Sequence, residues 1–437
     1  MPQSRTHSLL LLTLCATLAG CASGMSGPEV KPEELPALEA QTKAHPTDSD
    51  LFTRLGIGYY AAKNWDRAHD ALQTAVSLDR RNYRATVYLG LSDEELGQFD
   101  SARAAYGTAR PLATSAGRRA ELDDRLVLLT RREMVASAQT AIAQEATLSQ
   151  TPPEPNTVAV MPFHYAGADT SLAPLGRGLT QLVVNDLGQV ARLKLLERER
   201  VQALTDELKL AQQGRIDPAT AARSGRLLRA DQVVQGTLAD ATTGTDLRLD
   251  ANVVNTTTSQ VTATGTATDQ LQQLFDAEKN VVLQLLQRMG ITLTPAEQQS
   301  IQQKPTRNLQ AFLAFSRGLV AEDNGDFGAA AGFFNSAASQ DPGFQAAKAQ
   351  AAKNVQMSQA QGQQPQQLAG TGQSGPTGGL LQLSNGINPS IGGDLNNSGG
   401  GGSGPPINRP PVPESGGGDN VVVGQLGGTI IIVIPRP

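Results

Sequence analysis

Hydrophobic and polar positions along the chain fall into segments of different period. In the first half, small and apolar residues recur with a 34-residue spacing: Leu55-Gly56 returns as Leu89-Gly90, Ala68 as Ala102, Ala75 as Ala109, and Trp65-Asp66 as Phe99-Asp100. Gly and Ala at these offsets predict two antiparallel helices per repeat, packed closely enough that Leu72 and Tyr106 fill the groove between them. A third copy spans 311–344, with Gly318, Gly325-Asp326-Phe327, Ala330, Phe334, Ala337 and Asp341-Pro342 in matching places. One repeat alone leaves its faces uncovered, so this copy is expected to pack on the first pair or dock on the segment before it. Between the second copy and Gln150 the pattern predicts one long helix, with Leu122, Leu126 and Leu129 on a single face and Arg118, Arg119, Arg131 and Arg132 around it. That arginine set reads as the solvated face of a capping helix, with a basic partner surface as the alternative.

The prolines of Thr151-Pro152-Pro153-Glu154-Pro155 break the helix and mark a boundary. Beyond it, Thr157–Phe163 is a continuous apolar run closed by Pro162, the mark of a buried strand. Helical spacing over 175–190 follows, then a short strand at Leu193–Leu196 and a helix over 198–212 that Gly214 stops. Asp217-Pro218 opens another short helix to about Arg229, as an N-cap followed by proline at the first helical position. Three strands come next, Gln232–Leu238, Asp246–Val254 and Val261–Ala267, with turns at Thr243-Gly244 and Thr257–Ser259. A long amphipathic helix from Leu271 to Met289 closes the segment. The order β-α-β-α-α-β-β-β-α predicts one mixed sheet covered by helices over 156–293.

The two ends differ from this body. Arg5 and His7 precede Leu9-Leu10-Leu11-Leu12-Thr13-Leu14-Cys15-Ala16, the charged start and short apolar core of a secretory signal, too short to span a bilayer. Leu18-Ala19-Gly20-Cys21 then resembles the bacterial lipobox, in which a cysteine thiol takes a diacylglycerol and cleavage falls just before it. Residues 1–20 are therefore expected to be a signal peptide and Cys21 the lipidation site. Residues 21–48, with Pro32, Pro36 and Pro46, are expected to form an extended lipidated tether. Several acyl chains hold a membrane as one cannot, at roughly 0.8 kcal/mol per buried methylene. Ala22, rather than Asp, follows the cysteine, and the lipobox resemblance then implies sorting to the outer membrane, periplasmic side. From Gln356 to the end there are 20 Gly and 10 Pro in 82 residues, so 355–437 is expected to be a disordered low-complexity tail. Its last stretch, Thr429-Ile430-Ile431-Ile432-Val433-Ile434, has the β-propensity of a segment that docks on a sheet edge, self-associates or pairs with its own body.

Composition narrows the function classes. The net charge of −5 gives no general pull toward nucleic acid. Once the signal is removed Cys21 stands alone, so no intrachain disulfide forms, and His45, His69 and His164 are the only histidines. None has zinc-ligand spacing or a nucleophile partner, so no catalytic, metal or cofactor-binding residue is assigned. His164 reads as a strand-end surface histidine. Gly176-Arg177-Gly178 lacks the further residues of a phosphate-binding loop. A binding or scaffold protein is expected, not an enzyme.

Two family resemblances join these readings. The 34-residue units are similar to tetratricopeptide repeats, through Leu55, Gly56, Tyr59, Ala68, Leu72 and Ala75 and their counterparts. Val158–Phe163, Leu196-Glu197-Arg198-Glu199-Arg200, Gly225, Ala230-Asp231-Gln232-Val233-Val234-Gln235-Gly236 and Val253-Val254 resemble the CsgG family, the curli production assembly and transport component. In that family the Glu197–Arg200 run is a fold signature, here a strand-to-helix junction with local ion pairs. The resemblance implies an α/β mixed-sheet CsgG-like domain at 156–293, beside α-helical tetratricopeptide repeats at 49–150 and 306–354 and the Gly/Pro/Gln-rich tail. It implies an outer-membrane lipoprotein that serves as a periplasmic scaffold or adaptor for curli-like fibre or polymer secretion. The alternative is a cell-envelope regulator resembling penicillin-binding-protein activator lipoproteins. Family channels are built from two long hairpins, whereas 239–245 and 255–260 are short and polar, so the water-exposed core is expected without the barrel. Expected partners are the outer membrane through the lipid and proteins through the repeats, with a homo-oligomer left open and no nucleic acid.

Overall fold

The computed structural model describes residues 30–210, 217–241 and 246–370. The signal peptide, Cys21 and the terminal Ile-rich stretch lie outside the described residues.

The first helices are α1 (Leu35–Ala44), α2 (Ser49–Ala61), α3 (Trp65–Leu78), α4 (Tyr83–Glu95) and α5 (Phe99–Ala109). The starts of α2, α3 and α4 are fixed by side-chain caps: Asp48 accepts from the amides of Asp50 and Leu51, Asn64 from Arg67, and Asn82 from Ala85. α2 pairs with α3 and α4 with α5 through a contact that only glycine permits. A Cβ built on Gly56 would meet the Leu72 side chain, and one on Gly90 would stand 2.7 Å from Tyr106 Cε1. α1 corrects the expected tether: Leu35 and Val30 pack on Gly58 of α2, so the segment from Val30 onward belongs to the folded body. The prolines mislead here because Pro32 and Pro36 sit in first-turn positions, where a missing amide costs nothing.

The long helix α6 (Ala116–Ala143) and its one-turn continuation α7 (Glu145–Leu148) stand where the pattern put them. Packing nevertheless divides α6. Leu122 and Leu129 join the core of the first hairpins, whereas Met134, Val135, Ala138 and Ile142 join a core under the sheet. The domain boundary therefore runs through α6 and not at the proline cluster after it.

The sheet has six strands: β1 (Glu154–Val160), β2 (His164–Tyr165), β3 (Lys194–Leu195), β4 (Ala230–Asp240), β5 (Leu247–Asn255) and β6 (Val261–Asp269). Their order is β3-β1-β4-β5-β6, with β2 also paired to β4. β1 is parallel to β3 and β4, and β4, β5 and β6 are antiparallel, so the sheet is mixed. Between the strands run α8 (Leu175–Leu187), α9 (Arg198–Glu207) and α10 (Pro218–Leu228), followed by α11 (Leu274–Arg288). Alternation along β1 sends Val158 and Val160 to one face, with α8 and α11, and Ala159 and Met161 to the other, with α9 and α10. α9 ends at Glu207, and of the helix expected to 212 residues 211 and 212 lie outside the described set.

Four helices complete the body: α12 (Pro295–Ile301), α13 (Leu309–Asp323), α14 (Phe327–Gln340) and α15 (Gln345–Gly362), with a last turn α16 (Pro365–Leu368). α13 and α14 repeat the earlier glycine contact, a Cβ on Gly318 standing 2.6 Å from Phe334 Cε1. Of the two expected docking places, this hairpin takes the sheet domain. Gly178 of α8 lets Phe312 approach until a Cβ there would be 2.6 Å from Cζ, and Phe312 lies edge-on to Phe275 at 5.0 Å. The boundary expected at 355 is corrected as well. α15 runs on to Gly362 with Met357 and Ala360 buried, and Leu368 is buried among the first hairpins. Tyr83 donates to the Leu368 carbonyl at 2.7 Å, and Arg118 to that of Gly370 at 3.1 Å. Gln-rich composition conceals this, because Ala347, Ala351 and Ala360 supply a small apolar stripe that hydropathy averages away.

Candidate functional site

Where the α4–α5 turn, α6 and the ends of α9 and α10 meet, a groove of about 660 Å³ opens. Phe99, Glu133, Thr140, Leu148, Arg200 and Arg229 line it. The local backbone is unusual. Arg229 ends α10 in the left-handed region at φ 59, and Asn156 on β1 has φ 60. Three residues of β1 between Glu154 and Val158 oppose the single residue of β4 between Ala230 and Gln232, so the strand bulges here. Glu154 lies 3.7 Å from Arg229 across this bulge, and its amide donates to the Arg229 carbonyl at 2.9 Å. The groove presents the Arg200 and Arg229 guanidinium groups, the Asp100 and Glu133 carboxylates and the Phe99 ring.

Behind the groove, a buried charge cluster joins the sheet domain to the last hairpin. Arg198 at the start of α9 donates to Glu322 at 2.9 Å and also to Asp323, both on α13. Arg177 of α8 lies 3.2 Å from Asp323, and Arg131 of α6 donates to the Asp323 carbonyl at 2.7 Å. Lys353 of α15 bridges Glu199 at 2.8 Å and Glu322 at 3.2 Å. Burial works against ionised Glu199, yet Arg198 and Lys353 hold its carboxyl down to about 2. Burial lowers the Arg177 guanidinium, with Asp323 opposing.

The residues singled out by sequence fall as follows. The Glu197–Arg200 run is at a strand-to-helix junction with one local pair, Arg198–Glu199 at 3.9 Å, and beyond it Arg198 makes a buried long-range pair with Glu322 and Glu199 a partly exposed one with Lys353. Arg200 faces the groove. Gly176 and Gly178 serve close packing: a Cβ at Gly176 would strike the Phe163 carbonyl. His164 is half-buried on the two-residue strand β2, opposite Thr237 of β4. The four α6 arginines bind their own chain. Arg132 pairs with Glu94 at 2.6 Å, Arg119 donates to the Ala113 carbonyl at 3.0 Å, and Arg118 and Arg131 make the bonds given above. They are neither a solvated face nor a free basic surface.

Sequence reasoning missed Arg229, Glu322 and Asp323. Arg229 carries a signal in retrospect, since a helix running straight into a strand without glycine forces a side-chain-bearing residue into the left-handed cap. Glu322-Asp323 at the end of an otherwise apolar helix signals a buried ionic partner. Among the described residues no three His, Cys, Asp or Glu side chains converge as a metal site, and no helix is long and apolar enough to cross a membrane.

No curated protein matches the chain. Among solved structures it is similar to the LpoB C-terminal domain from Salmonella enterica, at 13% identity and a TM-score of 0.23, covering 32% of this chain and 98% of that one. The family model of the curli production assembly/transport component CsgG matches residues 139–246. The match begins inside α6, at the part that packs under the sheet, and ends before β5. The bulged β1, the Arg198 junction and β4 all lie within it, and this part of the chain is a domain of the CsgG family.

Proposed function

We propose that the chain is an outer-membrane lipoprotein, anchored through Cys21 on the periplasmic side, that acts as a scaffold or adaptor in secretion and assembly of a curli-like fibre or polymer. The observation that carries this is the CsgG match over residues 139–246. β4, β5 and β6 belong to a sheet with helices on both faces, which favours a scaffold over a channel wall. The three hairpins are read as tetratricopeptide repeats, supported by the same glycine contact at Gly56, Gly90 and Gly318. Much of their first-helix surface is taken up by the chain itself: α8 lies on α13, while α6 arginines and α16 lie on α4. We therefore assign the protein partner to the groove bearing Arg200 and Arg229, with no cofactor, no enzymatic step and no nucleic acid in the cycle.

The test is made in cells. Cys21→Ser is expected to move the protein out of the membrane fraction and to stop export of the fibre subunit. Arg200→Glu with Arg229→Glu is expected to keep the protein at the membrane and still stop export. Normal export in both strains, with altered peptidoglycan synthesis instead, would replace this reading by that of an envelope regulator.

A further inference from the structure

Away from the groove, α8 and α11 enclose a second ionic cluster that nothing above employs. Asp186 of α8 faces Glu278 and Lys279 of α11. Lys279 Nζ lies 2.5 Å from Asp186 Oδ2 and 3.2 Å from Glu278 Oε2. The side chains are 8%, 0% and 7% exposed for Asp186, Glu278 and Lys279. Two carboxyls thus share one ammonium in a space closed to water. Neither Glu278 oxygen meets a hydrogen-bond donor at bonding geometry.

Other charges near these helices are engaged elsewhere. Arg248 and Asp250 of β5 pair with each other, Asp276 of α11 with Lys304, Arg192 with Glu297 of α12, and Arg288 of α11 with the Thr264 carbonyl. β5 and β6 send Leu249, Ala251, Val253 and Ala263 into the core beneath α11. Among the described residues, Lys279 is the cation paired with either carboxyl. With all three groups ionised the seam would hold an uncompensated negative charge, which a buried site does not tolerate.

We infer that the Asp186–Glu278–Lys279 cluster holds one exchangeable proton on its carboxyl pair at neutral pH, and that losing it on alkalinisation loosens the seam between α8 and α11. A proton on Glu278 converts a second buried anion into a donor toward Asp186. Burial raises the Glu278 carboxyl well above its usual range, and the Asp186 charge raises it further against the opposing pull of Lys279. Burial also raises Asp186, opposed by Lys279. The sign follows from linkage. A carboxyl raised in the folded state contributes stability that is complete below the ordinary carboxylate range and is lost as pH climbs through the folded value. α8 also seats the last hairpin through Gly178 and Phe312, so the seam transmits to the attachment of α13.

The experiment is an infrared titration of the full chain with denaturant unfolding at each pH. The expected result is a protonated-carboxylic-acid band that persists at neutral pH, is missing in Glu278→Gln, and fades as the solution is made alkaline while the unfolding midpoint falls. Glu278→Gln is expected to show no fall over that range. Should that variant fold poorly, Asp186→Asn supplies the second arm: with the neighbouring charge gone, the band should disappear at a lower pH. Absence of the band in the wild-type protein at neutral pH would overturn the inference. So would the same alkaline loss in Glu278→Gln, or a band whose midpoint is unmoved by Asp186→Asn.

Discussion

At Gly90 the backbone of α4 meets the ring of Tyr106, and Tyr106 in turn donates to buried Glu94 at 2.5 Å. Glu94 is held by Arg125 at 2.7 Å and Arg132 at 2.6 Å, so moving the ring disturbs an ionic group as well as a packing contact. Gly90→Ala is expected to overpack the hairpin and cost about 1–3 kcal/mol. Thermal unfolding of the variant checks it, and an unchanged midpoint would speak against the tight contact. This position was legible in the sequence because a glycine recurring at a 34-residue spacing has few uses other than close approach. Arg198 was not legible in the same way. Its identity marks a family junction, but its partners Glu322 and Asp323 lie more than a hundred residues on, at separations of 124 and 125, and no local period connects them. Cys21 is expected to carry the lipid from its local context alone, an apolar run followed by Leu18-Ala19-Gly20, and it lies outside the described residues.

Among the elements, β6 is one of the edge strands of the sheet and carries its own protection. The outward amide of Thr266 donates to Gln284 Oε1 at 3.2 Å, Gln284 Nε2 donates to the Thr266 carbonyl at 3.1 Å, and Arg288 takes the Thr264 carbonyl. α11 thus occupies with two side chains the backbone groups on which another strand would pair. Gln284→Ala combined with Arg288→Ala is expected to increase self-association with concentration in sedimentation velocity, relative to the unmodified chain. A pair of variants with unaltered sedimentation would mean that the edge is covered in some other way. The three long strands and α11 were readable from alternation and helical period. Which side chains of α11 reach the strand edge was not, since Gln284 and Arg288 look like ordinary polar positions on a helix surface. β2 escaped notice because two residues, His164 and Tyr165, are too short to show any period.

For the molecule as a whole, α15 and α16 tie the last hairpin back to the α4–α5 hairpin and α6. A chain ended after residue 354, where the composition changes, would lose buried Met357 and Leu368 together with the bond from Tyr83. Burying each such side chain is worth about 1.5–3 kcal/mol, so this truncation is expected to unfold at clearly lower denaturant than one ended after residue 370. Equal midpoints would show that the strap contributes little. The partition into hairpins, sheet domain and returning hairpin was visible in the sequence, but the closure was not, because Gln, Ala and Gly in a run of low complexity give no sign of the face they bury.

The same strap sets an order of events as the protein is made. Tyr83 and Leu368 are separated by 285 residues, so their contact closes one of the longest loops in the chain. At roughly 5–20 residues per second of synthesis, tens of seconds pass between the appearance of the first hairpins and that of the segment that covers them. Through that interval the face of α4 around Tyr83 awaits its neighbour, and the body reaches its final form only after almost all of the described chain has emerged. Assembly of this protein is therefore gated by its late residues, with the native topology sealed from the C-terminal side.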